Sequence, residues 1–255
     1  MIRLITRGDD AGSNVTANRA IRDACVEGVL RNVSVMIPCE GAGDASERLS
    51  SIDEVCLGLH TTFNAEWSAV RWGPVSDPSE VRSLTMSDGT FPMTVPGLAD
   101  NGATLDHAMV ELQAQLDRGR ELGFSFTYAD QHMGCGRAIE GFDEAFDRWC
   151  SAEGLLNYNP YHRRLERDPD RGGDSVEQLI GDLDACESGQ WALVGHPAYV
   201  TDEMKQIGNE PDSGEDLALE RDWQRRWFMD PRIVDYFEEN EIEAIRYDEA
   251  EVIDK

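Results

Sequence analysis

The chain has 255 residues, enough for one large domain, and 40% of them are hydrophobic, so it can bury a sizeable core. Its formal net charge of −27 disfavours nucleic acid and anionic membrane surfaces as partners, because both bind proteins through basic faces. We therefore predict a single domain over residues 1–255 with neither kind of partner.

Short apolar runs alternate with segments of helical periodicity along the chain. In chain order we predict a strand over 2–6, a helix capped by Ser13 or Asn14, a strand over 32–37, a helix over 44–49, a strand over 54–59, a helix over 104–122, a strand over 124–129, a helix over 139–150, a strand over 155–158, a helix over 175–186, a strand over 191–194, helices over 217–228 and 233–240, and a strand over 242–246. Residues 61 to about 101 are only weakly periodic, and a loop of that length is unusual unless it is functional.

About seven strands that alternate with helices indicate a parallel α/β fold. At this length we expect a single (β/α) barrel, TIM-like or distorted, with an open doubly wound sheet as the alternative. Nucleotide-binding folds lose support because the sequence has no GxGxxG after the first strand and no GxxxxGK[ST].

Three observations bear on the compartment. The apolar run over 2–6 is too short for a signal peptide and is interrupted by charge. No stretch approaches 18 apolar residues, and the six cysteines are scattered without a CxxC pair. We therefore expect a cytoplasmic protein whose thiols are mostly buried.

The basic residues are almost all arginine, with Lys205 and Lys255 as the two lysines. An acid-rich, lysine-poor surface suits high salt, which screens the self-repulsion of the charges. The alternative is an ordinary acidic protein from a GC-rich genome, in which codon bias replaces Lys by Arg. Both interpretations stay open at this point.

Ionisable side chains stand where predicted strands end. The residues at these positions are Asp9, Asp10, His60, Asp130, His132 and His196. In a parallel barrel the carboxyl ends of all strands share one face, and that face builds the active site. Taken singly, an Asp pair before a helix is often a cap, and a His after a strand is often a hydrogen-bonded loop residue. Together they predict a metal site with acid and base partners.

The donor types limit the chemistry. One carboxylate and two neutral imidazoles suit one divalent ion, with Mg²⁺ or Zn²⁺ foremost and Mn²⁺, Co²⁺ or Fe²⁺ as alternatives. The adjacent Asp9 and Asp10 can divide two roles, one as metal ligand and one as base. No GxSxG nucleophile motif is present, so hydrolysis by metal-activated water is the leading reaction type.

An ordered set of short motifs spans nearly the whole chain. It consists of Leu4–Gly12 with Asn18–Ile21, Val33–Met36, Gly58-Leu59-His60, Asp130-Gln131-His132, His196-Pro197, and finally Arg221, Asp230-Pro231 and Glu241–Tyr247. In this order the motifs resemble those of the YdjC-like (ChbG/HpnK) carbohydrate deacetylases. The sequence departs from that pattern at Met133-Gly134-Cys135, where the family often has further histidines, and at Ala198, where it has glycine.

The resemblance implies that Asp10, His60 and His132 hold the metal, with Asp9 as general base and His196 as general acid. It implies removal of an N-acetyl group from an acetylated amino sugar or a short oligosaccharide of one, and a homodimer is an open alternative to a monomer. The candidate substrate-binding residues are Met36, Trp67, Asp130, Tyr199 and Arg221. Trp67, Tyr199 and also Trp72 could stack on a sugar face or simply pack in the core.

Two other classes of protein compete with this interpretation. A non-catalytic sugar-binding barrel is one, although such a protein has no need of two adjacent carboxylates. A metal-dependent isomerase or phosphoesterase on the same face is the other. Phosphoesterases usually need a basic clamp, which a chain with a net charge of −27 supplies poorly.

Overall fold

The computed structural model describes residues 1–168, 170–209 and 214–253. The strands within these ranges are β1 (Ile2–Ala11), β2 (Asn32–Val35), β3 (Cys56–Thr61), β4 (Phe126–Gln131), β5 (Leu156–Asn157), β6 (Gly189–Gly195) and β7 (Glu243–Ile245). The helices are α1 (Val15–Glu27), α2 (Ala42–Leu49), α3 (Val95–Asp100), α4 (Leu105–Glu121), α5 (Phe142–Glu153), α6 (Ser175–Asp184), α7 (Gly214–Met229) and α8 (Pro231–Glu239). The alternation of strands and helices confirms the predicted α/β class.

All strand pairs are parallel, in the order β5-β4-β3-β2-β1-β6. The last strand, β7, pairs with Arg3–Ile5 of β1. It lies on the same side of β1 as β2, which pairs with later residues of that strand. Asn32 joins the three strands, since its side-chain amide donates to the carbonyls of Thr6 and Ile245.

The sheet is a half-barrel. Across the described residues no hydrogen-bonded ladder joins β5 to β6, so a seam separates these two strands. At one end of the seam, the segment 163–165 forms a single bridge to β6, between Arg164 and Ala192. The strands are therefore compatible with the predicted distorted barrel, but their backbone hydrogen bonds do not close into a full TIM-like ring. The reason is that β5 is only two residues long and leaves most of the far edge of β6 unpaired.

Two apolar layers sandwich the sheet because successive strand side chains point to opposite faces. Leu4 belongs to the large core between sheet and helices, whereas Ile5 belongs to a smaller cluster on the inner face. In that inner cluster, the rings of Tyr128 and Tyr247 pack with centroids 4.4 Å apart. Gly58 makes room for them, since a Cβ there would lie 2.3 Å from the Tyr128 ring.

Most predicted elements are present, but several strands end later than expected. β1 continues through Asp9 and Asp10, which were expected to follow it, and β3 and β4 include His60 and Asp130. The weakly periodic stretch after Thr61 packs on the core through side chains such as Trp72, Leu84 and Phe91. No helix in the part of the chain described is long and apolar enough to cross a membrane.

Candidate active site and metal centre

The carboxyl ends of β1, β3 and β4 bring the predicted site residues together. His60 and Asp130 are paired in register on neighbouring strands. At the end of β1 the register with β2 shifts between Gly8 and Ala11, and Asp10 has φ of 66°, in the left-handed region. Such a bulge redirects a side chain. As a result, the consecutive Asp9 and Asp10 both line one cavity instead of pointing to opposite faces.

Three donor atoms form a compact triangle at this edge. Asp10 Oδ1 lies 3.6 Å from His60 Nε2 and 3.4 Å from His132 Nδ1, and the two ring nitrogens are 3.3 Å apart. All three side chains are buried. Two ligands that are each about 2.0 Å from one ion in tetrahedral geometry lie about 3.3 Å apart. The triangle therefore has the dimensions of a divalent metal site.

The surrounding charges also suit a divalent cation. Asp10 Oδ1 is buried without a hydrogen-bond partner although it points between two imidazoles. Around it lie four carboxylates, on Asp9, Asp10, Glu66 and Asp130, and two guanidinium groups, on Arg7 and Arg221. Buried charge must be compensated, and a divalent ion would neutralise the excess of two negative charges.

Each imidazole of the triangle is oriented by a carboxylate behind it. His60 Nδ1 lies 2.8 Å from Asp130 Oδ1, and His132 Nε2 lies 2.9 Å from Glu66 Oε2. A carboxylate that accepts from the outer ring nitrogen fixes the tautomer of a metal-binding histidine and the orientation of its ring. Asp130, expected to contact substrate, is completely buried and holds His60 instead. Glu66 was not predicted, because it lies in the weakly periodic stretch.

Arg7 is buried and pairs with two carboxylates of the site, those of Asp9 and Asp130. Its Nε and Nη2 lie 2.7 and 2.9 Å from the two oxygens of Asp9, and its Nη1 lies 2.9 Å from Asp130 Oδ2. Asp9, His60 and Asp130 form a second group with metal-ligand spacing, but both of its carboxylates are already paired with Arg7. The Asp10–His60–His132 group is therefore the better cation site. Sequence reasoning missed Arg7, although a period of two places it on the same face of β1 as Asp9.

The pKa shifts follow from these contacts. Burial by itself lowers the pKa of His132, but the Glu66 and Asp10 carboxylates together outweigh burial and raise the pKa to about 9. Burial also opposes protonation of His60, yet Asp130 and Asp9 keep its pKa well above the usual value. Because both pKa values are raised, a metal ion would compete with protons for the two imidazoles.

His196 follows β6 and lines the same cavity as Asp9 and Asp10. Gln224 Oε1 accepts from the His196 backbone N–H at 2.7 Å and lies 3.0 Å from Nδ1. This places the proton on Nδ1 and leaves Nε2 free for chemistry. Burial and the positive charge of Arg221 both lower the pKa of His196. Arg221 Nη2 in turn lies 3.6 Å from Asp10 Oδ2.

The cavity at the centre is small, about 20 Å³, which is room for about one water molecule. Trp67, Trp72 and Arg221 are among its walls. A larger groove of about 550 Å³ adjoins it and shares Trp72 and Val70. The structure thus brings two of the five predicted substrate-binding residues, Trp67 and Arg221, to the cavity.

The other predicted substrate contacts lie elsewhere. Met36 has no exposed surface and packs in the large core. Tyr199 is half-buried, donates to Asp23 at 2.8 Å and stacks with the guanidinium of Arg225. Neither residue lines the cavity in the described part of the structure, because each side chain is already engaged in packing or hydrogen bonding.

Comparisons with known proteins agree on one family. The model of the family described as YdjC-like protein matches residues 3–239. A "Carbohydrate deacetylase" of Thermoanaerobacter pseudethanolicus is 24% identical over 96% of this chain and 97% of its own length. A second "Carbohydrate deacetylase", of Geobacillus stearothermophilus, is 25% identical over 96% of each chain.

A solved structure has the same fold. It is a "putative cellobiose-phosphate cleavage protein" from Enterococcus faecalis, with a TM-score of 0.78 and 16% identity over 97% of this chain and 98% of that one. The fold and the site define a parallel α/β protein with a candidate Asp–His–His metal centre at the carboxyl edge of its sheet. The chain belongs to the YdjC-like family.

Proposed function

We propose that this protein is a metal-dependent hydrolase that removes an N-acetyl group from an acetylated amino sugar or a short oligosaccharide of one. Its family and the two relatives named carbohydrate deacetylase identify a deacetylase hydrolase. The observation that carries the mechanism is the shared cavity, in which Asp9, Asp10 and His196 lie beside the triangle of Asp10, His60 and His132.

The metal ligands in this proposal are Asp10, His60 and His132. A divalent cation held by these residues would supply Lewis acidity for an acetyl carbonyl and for a water molecule. Two imidazoles and one carboxylate favour Zn²⁺ among the candidates, with Mg²⁺ and other divalent ions as alternatives.

The protons are moved by the chain's own groups. Asp9 accepts the proton of the attacking water, and its bidentate pair with Arg7 fixes the orientation of the carboxylate. His196 donates a proton to the departing amine from Nε2, while Gln224 holds the ring through Nδ1. An amine is a poor leaving group without this proton. Asp9 and His196 therefore both assist cleavage of the C–N bond, Asp9 by acting on the water and His196 by acting on the departing amine.

The substrate's remaining sugar fits the adjoining groove. Trp72 and Val70 continue from the small cavity into it, so a sugar with its acetyl group in the cavity would extend over them. Trp67 offers an aromatic face beside Arg221. This division assigns the small cavity to the acetyl group and water, and the groove to the sugar rings.

Two finer features belong to the same proposal. We interpret the half-barrel as an incompletely closed, distorted (β/α) barrel, supported by the Arg164–Ala192 bridge across its seam. A two-metal phosphoesterase is less well supported, since the second metal-type group shares His60 with the first. The cytoplasmic location and the homodimer stay predictions.

The proposed function is tested by measuring acetate release from a panel of N-acetylated sugars, with and without added divalent metal. We expect metal-dependent release. Asp9→Asn should retain metal and lose activity by about two orders of magnitude or more, the usual scale for a general base. His196→Ala should lose as much on amides and less on an ester analogue, because an alcohol leaves more readily. No acetate from any sugar would refute the activity, whereas metal loss in Asp9→Asn would exchange the roles of the two aspartates.

A further inference from the structure

A second cavity lies at the seam of the half-barrel, on the far edge of β6. Its volume is about 400 Å³, and we call it the seam cavity. Its walls include residues 192–194 of β6, together with Arg164, Arg167, His196, Gln224 and Trp227. It exists because the segment 163–165 bridges β6 at Ala192 and leaves the strand unpaired beyond that point.

The charge of the seam cavity is opposite to that of the molecule. The chain has 50 acidic residues among 255, yet none of the described wall residues is a carboxylate. The guanidinium of Arg167 covers the Trp227 ring at 4.2 Å and is hydrogen-bonded to Asp182, which is not part of the wall. Arg164 is exposed and has no ion pair with any residue that the structure describes.

The walls also contain an apolar portion. Leu165, Leu193 and the indole of Trp227 lie beside the arginines. A guanidinium matches the two oxygens of a carboxylate, and apolar side chains accommodate a short hydrocarbon tail. This combination fits a small carboxylate better than it fits phosphate or a sugar.

His196 connects the seam cavity to the proposed catalytic centre. It lines both the seam cavity and the small cavity that holds Asp9 and Asp10. Gln224, which bonds the His196 ring, is also a wall of the seam cavity. A ligand in the seam cavity would therefore lie next to the residue that protonates the leaving group.

We propose that the seam cavity binds a small carboxylate anion beside His196. That the carboxylate is the acetate released by deacetylation rests on the proposed function, whereas the carboxylate chemistry rests on the cavity alone. Acetate held there would be separated from the sugar groove by His196. The seam cavity would then bind the acetate product at a site separate from the groove that binds the sugar product.

The test is a titration of sodium acetate into the protein in low-chloride buffer, followed by saturation-transfer NMR of the acetate methyl group. Acetamide is the neutral isostere, and sodium chloride at matched ionic strength tests a non-specific anion. We expect acetate to bind, acetamide to bind more weakly, and Arg164→Gln to weaken acetate binding about tenfold, the loss expected for one charge-assisted hydrogen bond.

The matched control is Arg163→Gln. Arg163 is the neighbouring exposed arginine, but it stacks on Trp191 at 3.8 Å and lines a different cleft. Acetate affinity in this variant should equal that of the unmodified protein. The proposal is overturned if both substitutions weaken acetate binding equally, or if chloride displaces acetate as effectively as unlabelled acetate does. Either result would mean that the overall charge of the protein, and not the seam cavity, attracts the anion.

A further arm separates this site from the metal centre. Acetate binding that disappears with a chelator and is unchanged by Arg164→Gln would place the anion on the metal and overturn the seam site. Binding that survives the chelator and needs Arg164 supports it. If acetate binds in this way while no sugar is deacetylated, the proposed function fails and the carboxylate site stands.

Discussion

Glu66 and Asp130 each orient one of the two histidines of the candidate metal centre. Each accepts a hydrogen bond from the ring nitrogen that faces away from the centre. The two bonds select opposite ring atoms, so His60 presents Nε2 and His132 presents Nδ1. Without these acceptors either ring could rotate or change tautomer, and the triangle of donor atoms would be lost for part of the time.

Glu66→Ala should therefore weaken metal binding about 10- to 100-fold, the usual cost of losing such a partner. Glu66→Gln should recover much of the affinity, because the amide oxygen still accepts from His132 Nε2. Metal affinity measured by calorimetry on the chelator-treated protein checks both. Glu40→Ala, which removes an exposed carboxylate in the adjoining groove, is the control and should bind metal normally. Equal affinities in all four proteins would contradict the positioning role.

The lowered pKa of His196 predicts the alkaline limit of activity. If His196 must be protonated to act as an acid, kcat/KM falls as pH rises through its pKa, which burial and Arg221 hold below the ordinary value of 6.5. Arg221→Gln removes the positive charge, so the alkaline limb should move to higher pH even though the overall rate falls. pH–rate profiles measure this shift.

Arg225→Gln is the comparison for that experiment. Arg225 lies one turn further along α7 and pairs with Asp222 at 2.8 Å, so its loss should leave the alkaline limb in place. A limb that moves equally in both variants would mean that total charge, not the Arg221–His196 interaction, sets the pKa.

The residues of the centre could be predicted from the sequence to different degrees. Asp9, Asp10, His60 and His132 were accessible because parallel strands end at one edge, and polar residues at the ends of apolar runs stand out. Glu66 was not, because its contact with His132 depends on how a long irregular segment returns over the sheet. For Tyr199, the aromatic side chain gave no sign that Asp23 and Arg225 would engage it.

At the scale of elements, the segment after β6 is anchored on the first helix. Asn14 caps α1 through Ala17 N–H, and the carboxylate of Glu203 accepts from the backbone N–H groups of Val15 and Thr16 and from the Thr16 hydroxyl. A carboxylate at a helix N-terminus satisfies unpaired donors and interacts favourably with the helix dipole. This contact fixes the residues that follow, Met204 and Ile207, as walls of the small cavity.

Glu203→Ala should lower the free energy of unfolding by about 1 kcal/mol, the usual value of a helix cap. It should also raise KM, because the cavity wall loses its anchor. Denaturant unfolding and steady-state kinetics measure the two effects. Glu121→Ala removes an exposed carboxylate paired with Arg118 and should change neither. A Glu203 variant with unchanged stability and unchanged KM would show that the anchor is dispensable.

Element types were more predictable than element ends. α4 begins and ends within a residue of the prediction, since its apolar period and the glycine after it are explicit in the sequence. β1 continued five residues beyond the expected end. Charged residues usually indicate the end of a strand. Here Arg7, Asp9 and Asp10 remain in β1, because Arg7 and Asp9 form an ion pair and Asp10 lines the site. The missing ladder between β5 and β6 could not be predicted, because it depends on the length of β5.

For the whole molecule, the net charge of −27 implies self-repulsion that salt should relieve. If the composition is an adaptation to salt, the melting temperature should rise between low and molar KCl. Thermal unfolding at several KCl concentrations checks this, with sucrose at matched osmolality as a control for solvent effects. A melting temperature that is flat or falls with KCl would favour codon bias as the origin of the arginine-rich composition.

The pairing of β7 with β1 has a consequence for biosynthesis. Arg3 of β1 and Glu243 of β7 are 240 residues apart in sequence, yet they bond side by side. On the ribosome, β1 emerges before its neighbours β2, β6 and β7, and the residues Arg3–Ile5 lack their last neighbour until β7 has been made. The backbone edge of β1 at Arg3–Ile5 stays unpaired meanwhile, which exposes the nascent chain to aggregation and to chaperones. The end of β1 away from Asp9 and Asp10 is thus the part of the sheet that is completed last, after β1, β3 and β4, which position the candidate metal ligands, have been made.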